Sequence, residues 1–435
     1  MTLRMDWQRR VAVAVAVATV LAFALLAGNA RHDVTRLHAS PSSLLSPPAS
    51  NDGAVWAIVV DGLIHDYVVT ANGHLTEFVD DGANGRHWNA YDLSIGAGGG
   101  GPVSGVPSAI LYPHSGTEGD NLIHVYGRTP SGDLVEYVDN VAGGHLWNAY
   151  DLSVGAGGGG AVASDPGVVL GFDEFLHVYV TTPAGHLVEY VNDGANGHPW
   201  NAYDLSAGAA GGGAVAGEPT ATLAFDYLVH VYARTPAGHL VEYVDNDVGG
   251  HLWNVYDLSI GAGGATPVAA DPTSVLSVAD DLVHVYATTP GGHLVEYVND
   301  NANGHPWNVY DLSAGAGGGG PAAGTPSALT LFISPYDLIH VYVQTPGGDL
   351  VEYVNDNANG HPWNAYDLSV GAGGGGAVSG RLASVWAESQ FGNLSTLLIH
   401  VYAHTPSGDL VEYVPDNANG HPWNAYDLSI GTGVR

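Results

Sequence analysis

A histidine and a glutamate that recur seven times are the side chains in this sequence best placed to do chemistry together. In every copy the glutamate follows the histidine by 12 residues, and a tryptophan follows the glutamate after a short loop. An imidazole donates or accepts a hydrogen bond according to its tautomer, and a carboxylate accepts hydrogen bonds. The repeated set therefore offers polar recognition beside an aromatic ring. Its members are His65, Glu77 and Trp88; His124, Glu136 and Trp147; His177, Glu189 and Trp200; His230, Glu242 and Trp253; His284, Glu296 and Trp307; His340, Glu352 and Trp363; and His400, Glu412 and Trp423.

The segment between each histidine and glutamate predicts how the two are positioned. It contains Thr-Pro-x-Gly, or Thr-Ala-Asn-Gly in the first copy. Proline favours the first position of a type I turn, and glycine accepts the left-handed residue of a three-residue hairpin loop. With that loop, Tyr126 lies opposite Glu136 and His124 lies opposite Val138. His124, Tyr126 and Glu136 then share one sheet face, whereas a two-residue loop would separate them.

The tryptophans also define a long internal repeat. Their spacings are 59, 53, 53, 54, 56 and 60 residues. Each unit holds four short segments rich in Val, Ile, Leu and Tyr, separated by Gly, Pro, Asn and Asp, and none has a sustained helical period. Four strands per unit at this period predict an all-β, seven-bladed β-propeller with four antiparallel strands in each blade. A parallel β-helix and a linear array of small β modules are the alternatives.

The repeat predicts one closed domain over residues 53–435, preceded by two segments of other character. Residues 1–30 combine a basic start, an apolar run and a small-residue cleavage site, which are typical of a signal peptide. The alternative is an uncleaved membrane anchor. Either a signal peptide or an anchor would place the domain outside the cytoplasm. Residues 31–52 are rich in Ser and Pro and are typical of a linker. The expected blades are approximately residues 53–104, 105–163, 164–216, 217–269, 270–322, 323–380 and 381–435.

Composition narrows the set of partners. The chain has a formal net charge of −33 and no lysine, so phosphate backbones and anionic membrane surfaces are poor partners. It has no cysteine, so neither disulfides nor thiolate chemistry contribute. We therefore expect no nucleic-acid partner and, after signal cleavage, no membrane partner.

The shared face of imidazole, carboxylate and phenol, with a tryptophan nearby, suits a saccharide. Sugar hydroxyls need both donors and acceptors, and the apolar face of a pyranose packs on an aromatic ring. A structural alternative fits the same pattern, because a histidine–glutamate hydrogen bond could lock the hairpin of every blade. Repetition alone does not separate a latch from a ligand site.

A family resemblance favours the ligand site. The string Ile123-His124-Val125-Tyr126, then Leu134-Val135-Glu136-Tyr137, then Trp147, resembles the blade motif of fucose-specific propeller lectins and of seven-bladed bacterial lectins related to the Photorhabdus lectin. The resemblance implies sugar pockets between adjacent blades, in which the glutamates hold hydroxyls and the aromatic residues pack on the ring. The fungal motif has arginine where every copy here has histidine, and imidazole lacks the donor fork of arginine. The resemblance therefore implies a lectin but leaves its sugar open, fucose or a related monosaccharide included.

The leading hypothesis is a secreted, extracellular, multivalent carbohydrate-binding lectin whose partners are glycans. The alternative is a non-catalytic protein-binding scaffold that uses the variable insertions near Glu118, Tyr336 and Phe391. A propeller glycosidase or lyase is less favoured, because catalysis usually needs one asymmetric constellation. We expect no enzyme activity and no cofactor.

Metal binding is also not expected. The loop Asn299–Gly304 faintly resembles a calcium loop, but Asx-Gly turns are common for backbone reasons alone. The histidines just before each tryptophan have no second invariant ligand at a metal-binding spacing. We interpret these histidines as loop residues.

Overall fold

The structure is a computed structural model. It describes residues 55–81, 88–96, 101–112, 122–139, 147–156, 159–195, 199–208, 213–245, 253–263, 266–304, 306–316, 319–333, 336–356, 360, 362–372, 376–391, 394–417 and 420–430. The predicted signal peptide and linker lie outside these residues and stay predictions. Within the described chain, no helix has the length and apolar character needed to cross a bilayer.

Seven separate four-stranded antiparallel sheets confirm the predicted seven-bladed β-propeller. In each sheet the strands are hydrogen-bonded in chain order. Taken four to a blade, the strands are β1 (Val55–Val60), β2 (Leu63–Val69), β3 (Leu75–Val79), β4 (Asn89–Asp92), β5 (Ser104–Tyr112), β6 (Leu122–Arg128), β7 (Leu134–Asp139), β8 (Trp147–Asp151), β9 (Gly167–Leu170), β10 (Leu176–Thr181), β11 (Leu187–Val191), β12 (Asn201–Asp204), β13 (Ala216–Leu223), β14 (Val229–Arg234), β15 (Leu240–Asp245), β16 (Trp253–Asp257), β17 (Thr273–Ser277), β18 (Leu282–Thr288), β19 (Leu294–Val298), β20 (Asn308–Asp311), β21 (Ala323–Ile333), β22 (Tyr336–Gln344), β23 (Leu350–Val354), β24 (Asn364–Asp367), β25 (Ser379–Phe391), β26 (Leu394–His404), β27 (Leu410–Val414) and β28 (Asn424–Asp427).

A single helical turn follows the fourth strand of six blades, which the sequence reasoning did not predict. The aspartate that ends the strand caps it, as Asp151 does by accepting from the Val154 N–H. A 3₁₀ turn at Ala302–Gly304 is the other helical element in the described chain. The helical turns are α1 (Leu93–Gly96), α2 (Leu152–Gly155), α3 (Leu205–Gly208), α4 (Leu258–Gly261), α5 (Leu312–Gly315) and α6 (Leu368–Gly371).

The turn between the second and third strands has the predicted geometry. Thr129 N–H bonds to the Asp133 carbonyl at 2.8 Å, and Gly132 adopts a φ of 90°. Tyr126 pairs with Glu136 and His124 with Val138, as the three-residue loop requires. The same tyrosine–glutamate pairing occurs in all seven blades. The fixed spacing of 12 residues therefore places histidine, tyrosine and glutamate on one face.

The middle strands of each blade are buried on both faces. All six residues of β10 and all five of β11 are buried. In a sheet with one solvent-exposed face, buried and exposed residues would alternate along each strand. Neighbouring blades cover both sides. Successive blades are also tied by backbone bonds, such as that from Val162 N–H to the Gly132 carbonyl at 2.7 Å.

Side-chain packing closes the ring, because the first and last blades each consist of four consecutive strands and exchange none. The apolar cluster at this seam joins Val55, Ile64 and Val68 of blade 1 to Tyr402 and Leu410 of blade 7. The last blade is therefore built from its own four strands, β25 to β28.

Candidate functional site

Each blade contains a hydrogen-bonded triad of histidine, glutamate and tyrosine. The imidazole Nδ1 lies 2.7–2.8 Å from the glutamate Oε1 in all seven blades. The tyrosine hydroxyl donates to the same Oε1 at 2.9–3.1 Å. The predicted pairs are therefore joined directly, and the tyrosine two residues after the histidine completes each set.

The triads lie beneath the surface. The seven glutamates are 0–7% exposed, and the seven tyrosines are fully buried. Burial, together with the adjacent glutamate, raises the pKa of Tyr126 well above its ordinary value, so the phenol stays protonated and donates. Because Oε1 already accepts two internal hydrogen bonds, this oxygen serves as a latch. The imidazole Nε2 is the ring nitrogen that remains for other contacts.

The tryptophans connect neighbouring blades. Six of the seven pack edge-on against the triad tyrosine of the preceding blade, with ring centroids 5.9–6.1 Å apart, as in Tyr126–Trp200, and Trp88 closes the ring on Tyr402. Trp423 packs in the cluster that contains Tyr342. The structure thus brings each histidine–glutamate pair together with the tryptophan of the next blade rather than its own.

A second tyrosine on the same face reaches the surface. The tyrosine of Trp-Asn-x-Tyr-Asp on the fourth strand pairs in register with the triad glutamate in every blade, as Tyr150 does with Glu136. Tyr150 and Tyr256 are 53% and 51% exposed. Sequence reasoning did not single out these residues, although they recur in all seven copies. They supply accessible aromatic surface beside the buried pairs.

In five blades the asparagine after the tryptophan is structural. Asn201 Nδ2 donates to Asp193 Oδ1 at 2.7 Å, and Tyr203 donates its hydroxyl to Asp193 Oδ2 at 3.0 Å. The same contacts recur in four other blades, where they anchor the loop between the third and fourth strands.

The loop that faintly resembles a calcium site uses its carboxylate internally. Asp300 Oδ1 accepts from Ala302 N–H and Asn308 Nδ2, and Oδ2 accepts from the Tyr310 hydroxyl. In the described part of the chain, no three His, Asp or Glu side chains converge as metal ligands would. Of the histidines before the tryptophans, His421 is described, and the other six lie outside the described residues.

Three consecutive blades add an aspartate to the triad. Asp173, Asp226 and Asp280 lie in the hairpins between the first and second strands, four residues before their histidines. Their carboxylates lie 3.1–3.3 Å from the histidine Nε2. Burial lowers the pKa of each histidine, but the hydrogen bonds to aspartate and glutamate outweigh it and raise the pKa to about 9. These three imidazoles are therefore cationic at neutral pH.

A charged cluster at the centre of the ring breaks the sevenfold repetition. Arg381 of blade 7 reaches across to Glu218 of blade 4, with Nη2 and Oε1 2.8 Å apart. Arg128 lies 3.6 Å from Asp165, and Arg234 lies 3.4 Å from Asp271. Burial, only partly opposed by Arg381, raises the pKa of Glu218 to about 8.

This cluster adjoins a cavity of about 240 Å³ lined by the first strands of six blades. These charges are far apart in the sequence, and their proximity arises only in the closed ring. The Arg381–Glu218 pair joins residues 163 positions apart.

The insertions expected to form a protein-binding surface lie largely outside the described part of the chain. Glu118 lies outside the described residues, and the side chains of Tyr336 and Phe391 are likewise not described. The scaffold alternative stays a hypothesis.

Several solved structures resemble this one distantly. AofleA from Arthrobotrys oligospora aligns with a TM-score of 0.48 and 15% identity over 87% of each chain. The Aleuria aurantia lectin, a six-bladed β-propeller that recognises fucose, aligns with a TM-score of 0.44 and 18% identity over 76% of this chain and 96% of its own. BBS1N, solved in complex with ARL6DN, aligns with a TM-score of 0.44 and 10% identity over 86% of this chain and 95% of its own.

These likenesses are too distant to assign a family or a function. No protein-family model matches the chain, and no curated protein matches it. The β-propeller fold follows from the seven sheets themselves.

Proposed function

We propose that this protein is a multivalent, non-catalytic carbohydrate-binding lectin that acts outside the cell. The observation that carries the proposal is the row of side chains repeated in every blade. A buried histidine–glutamate–tyrosine triad pairs in register with a second tyrosine on the outer strand, as Tyr126, Glu136 and Tyr150 do in blade 2. The partly exposed outer ring offers a stacking surface for a pyranose.

The arrangement of the row supports saccharide binding through the outer tyrosines and the histidine edge. The glutamate orients the imidazole through Nδ1, so Nε2 is the ring nitrogen not used by the triad. Up to seven weak sites on one ring gain avidity on a surface that carries many glycans. Fucose is the first sugar to test, because the blade motif resembles that of fucose-specific lectins.

A glycan array with the full-length protein tests this proposal. We expect binding to a defined set of glycans and no turnover of those glycans. Replacing all seven outer tyrosines (Tyr91, Tyr150, Tyr203, Tyr256, Tyr310, Tyr366 and Tyr426) by Ala should lower the apparent affinity at least about tenfold, since stacking and avidity are lost at every site. The variant leaves the triad side chains unchanged but removes the tyrosine hydroxyl bonds to the loop aspartates in five blades, so near-UV circular dichroism and thermal unfolding must show that the variant is folded before its affinity is compared.

A matched control uses exposed residues elsewhere on the blades. Val154 and Ile260 are 77% and 68% exposed on α2 and α4. Val154→Ser and Ile260→Ser should leave the array signal unchanged. A folded protein that binds no glycan, or a sevenfold tyrosine variant that binds as well as wild type, would contradict the proposal.

A further inference from the structure

Six of the seven imidazoles fall into two groups according to what their Nε2 contacts. In blades 3, 4 and 5 this nitrogen lies against Asp173, Asp226 or Asp280 of the same blade. In blades 2, 6 and 7 the Nε2 atoms of His124, His340 and His400 are buried without a hydrogen-bond partner among the described residues. The triad is therefore the same in every blade, but the surroundings of the histidine Nε2 differ between blades.

Local backbone geometry holds each aspartate in place. In blade 3 the Asp173 Oδ1 accepts from the Phe175 N–H at 3.1 Å, and Glu174 between them has a φ of 68°. Asp226 and Asp280 accept in the same way from Leu228 and Leu282. The carboxylate is thus fixed over the imidazole edge by an Asx turn.

Blade 1 shows that the sequence position alone does not produce this contact. Aspartate also stands four residues before the histidine in two other blades: Asp61 before His65, and Asp120 before His124, the latter aspartate lying outside the described residues. In blade 1, β1 and β2 are joined by a tight turn in which Asp61 and Gly62 have φ values of 51° and 78°. Asp61 is exposed, and no hydrogen bond joins it to His65 within the described chain.

We infer that Asp173, Asp226 and Asp280 occupy the ligand-facing nitrogen of their own blades, so that the sevenfold repeat provides at most four functional saccharide sites, in blades 1, 2, 6 and 7. This inference rests on the proposed lectin function and adds three specificity-determining residues to it. These aspartates are positioning residues, because they act through the histidine.

Blades 3, 4 and 5 offer no histidine contact to a sugar because both nitrogens of the imidazole ring are already hydrogen-bonded. In blades 3, 4 and 5 the imidazolium donates from Nδ1 to glutamate and from Nε2 to aspartate, so neither a donor nor a lone pair remains for a sugar hydroxyl. Charge-assisted hydrogen bonds are roughly twice as strong as neutral ones, so a neutral hydroxyl displaces the carboxylate poorly. In blades 2, 6 and 7 the Nε2 is buried without a partner among the described residues, so a sugar hydroxyl that reaches it as the covering side chains move aside satisfies an otherwise unpaired nitrogen.

Calorimetric stoichiometry with methyl α-L-fucoside, or with the methyl glycoside of whichever monosaccharide the array identifies, tests the inference. Wild type should bind no more than four sugars per chain. The triple variant Asp173→Ser, Asp226→Ser and Asp280→Ser should gain three sites. A serine hydroxyl still accepts the backbone N–H two residues on, which preserves the hairpin, but it carries no charge to hold the imidazolium.

The matched control is Asp61→Ser, which should leave the stoichiometry unchanged. A ring-nitrogen NMR spectrum at pH 8 gives a second readout: three doubly protonated imidazoles in wild type and none of these three in the triple variant. Seven sugars per wild-type chain, or a triple variant with the same site count, overturns this inference while the lectin proposal stands. Absence of saccharide binding in both proteins overturns the lectin proposal and the inference with it.

Discussion

At the scale of single residues, one histidine position acquires different ionisation from blade to blade. Every copy has the same glutamate at Nδ1, but His177, His230 and His284 have a second carboxylate at Nε2. Around His177, the titratable groups are Asp173 on the hairpin, Glu189 on β11 and Tyr179, whose hydroxyl bonds to Glu189. Two carboxylates around one imidazole stabilise its cationic form against the cost of burial.

The free energy of unfolding should therefore decrease at alkaline pH as His177, His230 and His284 lose their positive charge. Their pKa values of about 9 in the folded protein exceed the ordinary value of 6.5, so the stabilisation is complete below about pH 6.5 and is lost as pH rises through 9. We expect a loss of roughly 1–3 kcal/mol per triad over this range. Thermal unfolding between pH 6.5 and 9.5 measures it.

The variant Asp173→Asn, Asp226→Asn and Asp280→Asn should flatten this dependence, since the neutral amide no longer favours the cation. Asp61→Asn serves as the control and should reproduce the wild-type slope. Equal slopes in wild type and the triple variant would show that the aspartates do not hold the imidazoles charged.

At the scale of elements, the turn between the second and third strands has two roles. It sets the register that brings His124, Tyr126 and Glu136 to one face. It also ties its blade to the next one, because Gly132 offers its carbonyl to Val162 N–H at 2.7 Å. Equivalent bonds occur at Gly73, Gly185, Gly238, Gly292 and Gly348. One glycine position therefore supports both the triad and the stacking of blades.

Gly132→Ala should destabilise the protein. The φ of 90° disfavours any residue with a Cβ, and the added atom would lie 3.1 Å from the Val162 carbonyl oxygen. We expect a loss of about 1–3 kcal/mol, measured by thermal unfolding. Gly155→Ala is the control: its Cβ meets nothing within 4 Å and it ends a helical turn, so stability should not fall by a comparable amount.

At the scale of the whole molecule, the seam between blades 1 and 7 differs from the other boundaries. Six blades have valine after the triad histidine, whereas blade 1 has Asp66. Asp66 is fully buried, and neither carboxyl oxygen has a hydrogen-bond partner in the described chain. Burial, and then the nearby Glu412 of blade 7, raises the pKa of Asp66 well above its ordinary value. The ring therefore closes over a side chain that resists ionisation.

Asp66→Val should stabilise the closed ring, and more so at pH 8 than at pH 4. A carboxyl whose pKa is raised in the folded state costs stability as pH rises above its unfolded pKa, because the folded protein then opposes its ionisation. We expect a gain of about 2 kcal/mol or more near neutral pH from scanning calorimetry. Asp61→Val, at an exposed position, should show no such pH dependence. A variant no more stable than wild type at pH 8 would contradict this reading of the seam.

Much of the fold follows from the sequence because it depends on local signals that repeat. The tryptophan spacing predicts seven blades, and Thr-Pro-x-Gly predicts the register of Tyr126 with Glu136. The spacing of 12 residues predicts a shared face for His124 and Glu136, and the structure adds a direct hydrogen bond between them. The register and the shared face depend on the turn between two neighbouring strands, so a single repeat contains the information that they need, whereas the number of blades follows from the number of repeats.

The tertiary structure decided what lies across blade boundaries and beside each histidine. Trp200 packs on Tyr126 of the previous blade, and Arg381 bonds to Glu218 across the ring, because closure brings together residues that are distant in sequence. Asp173 contacts its histidine but Asp61 does not, because the two hairpins bend differently. A repeated sequence determines equal blades, whereas hairpin shape and ring closure make the seven imidazoles chemically unequal.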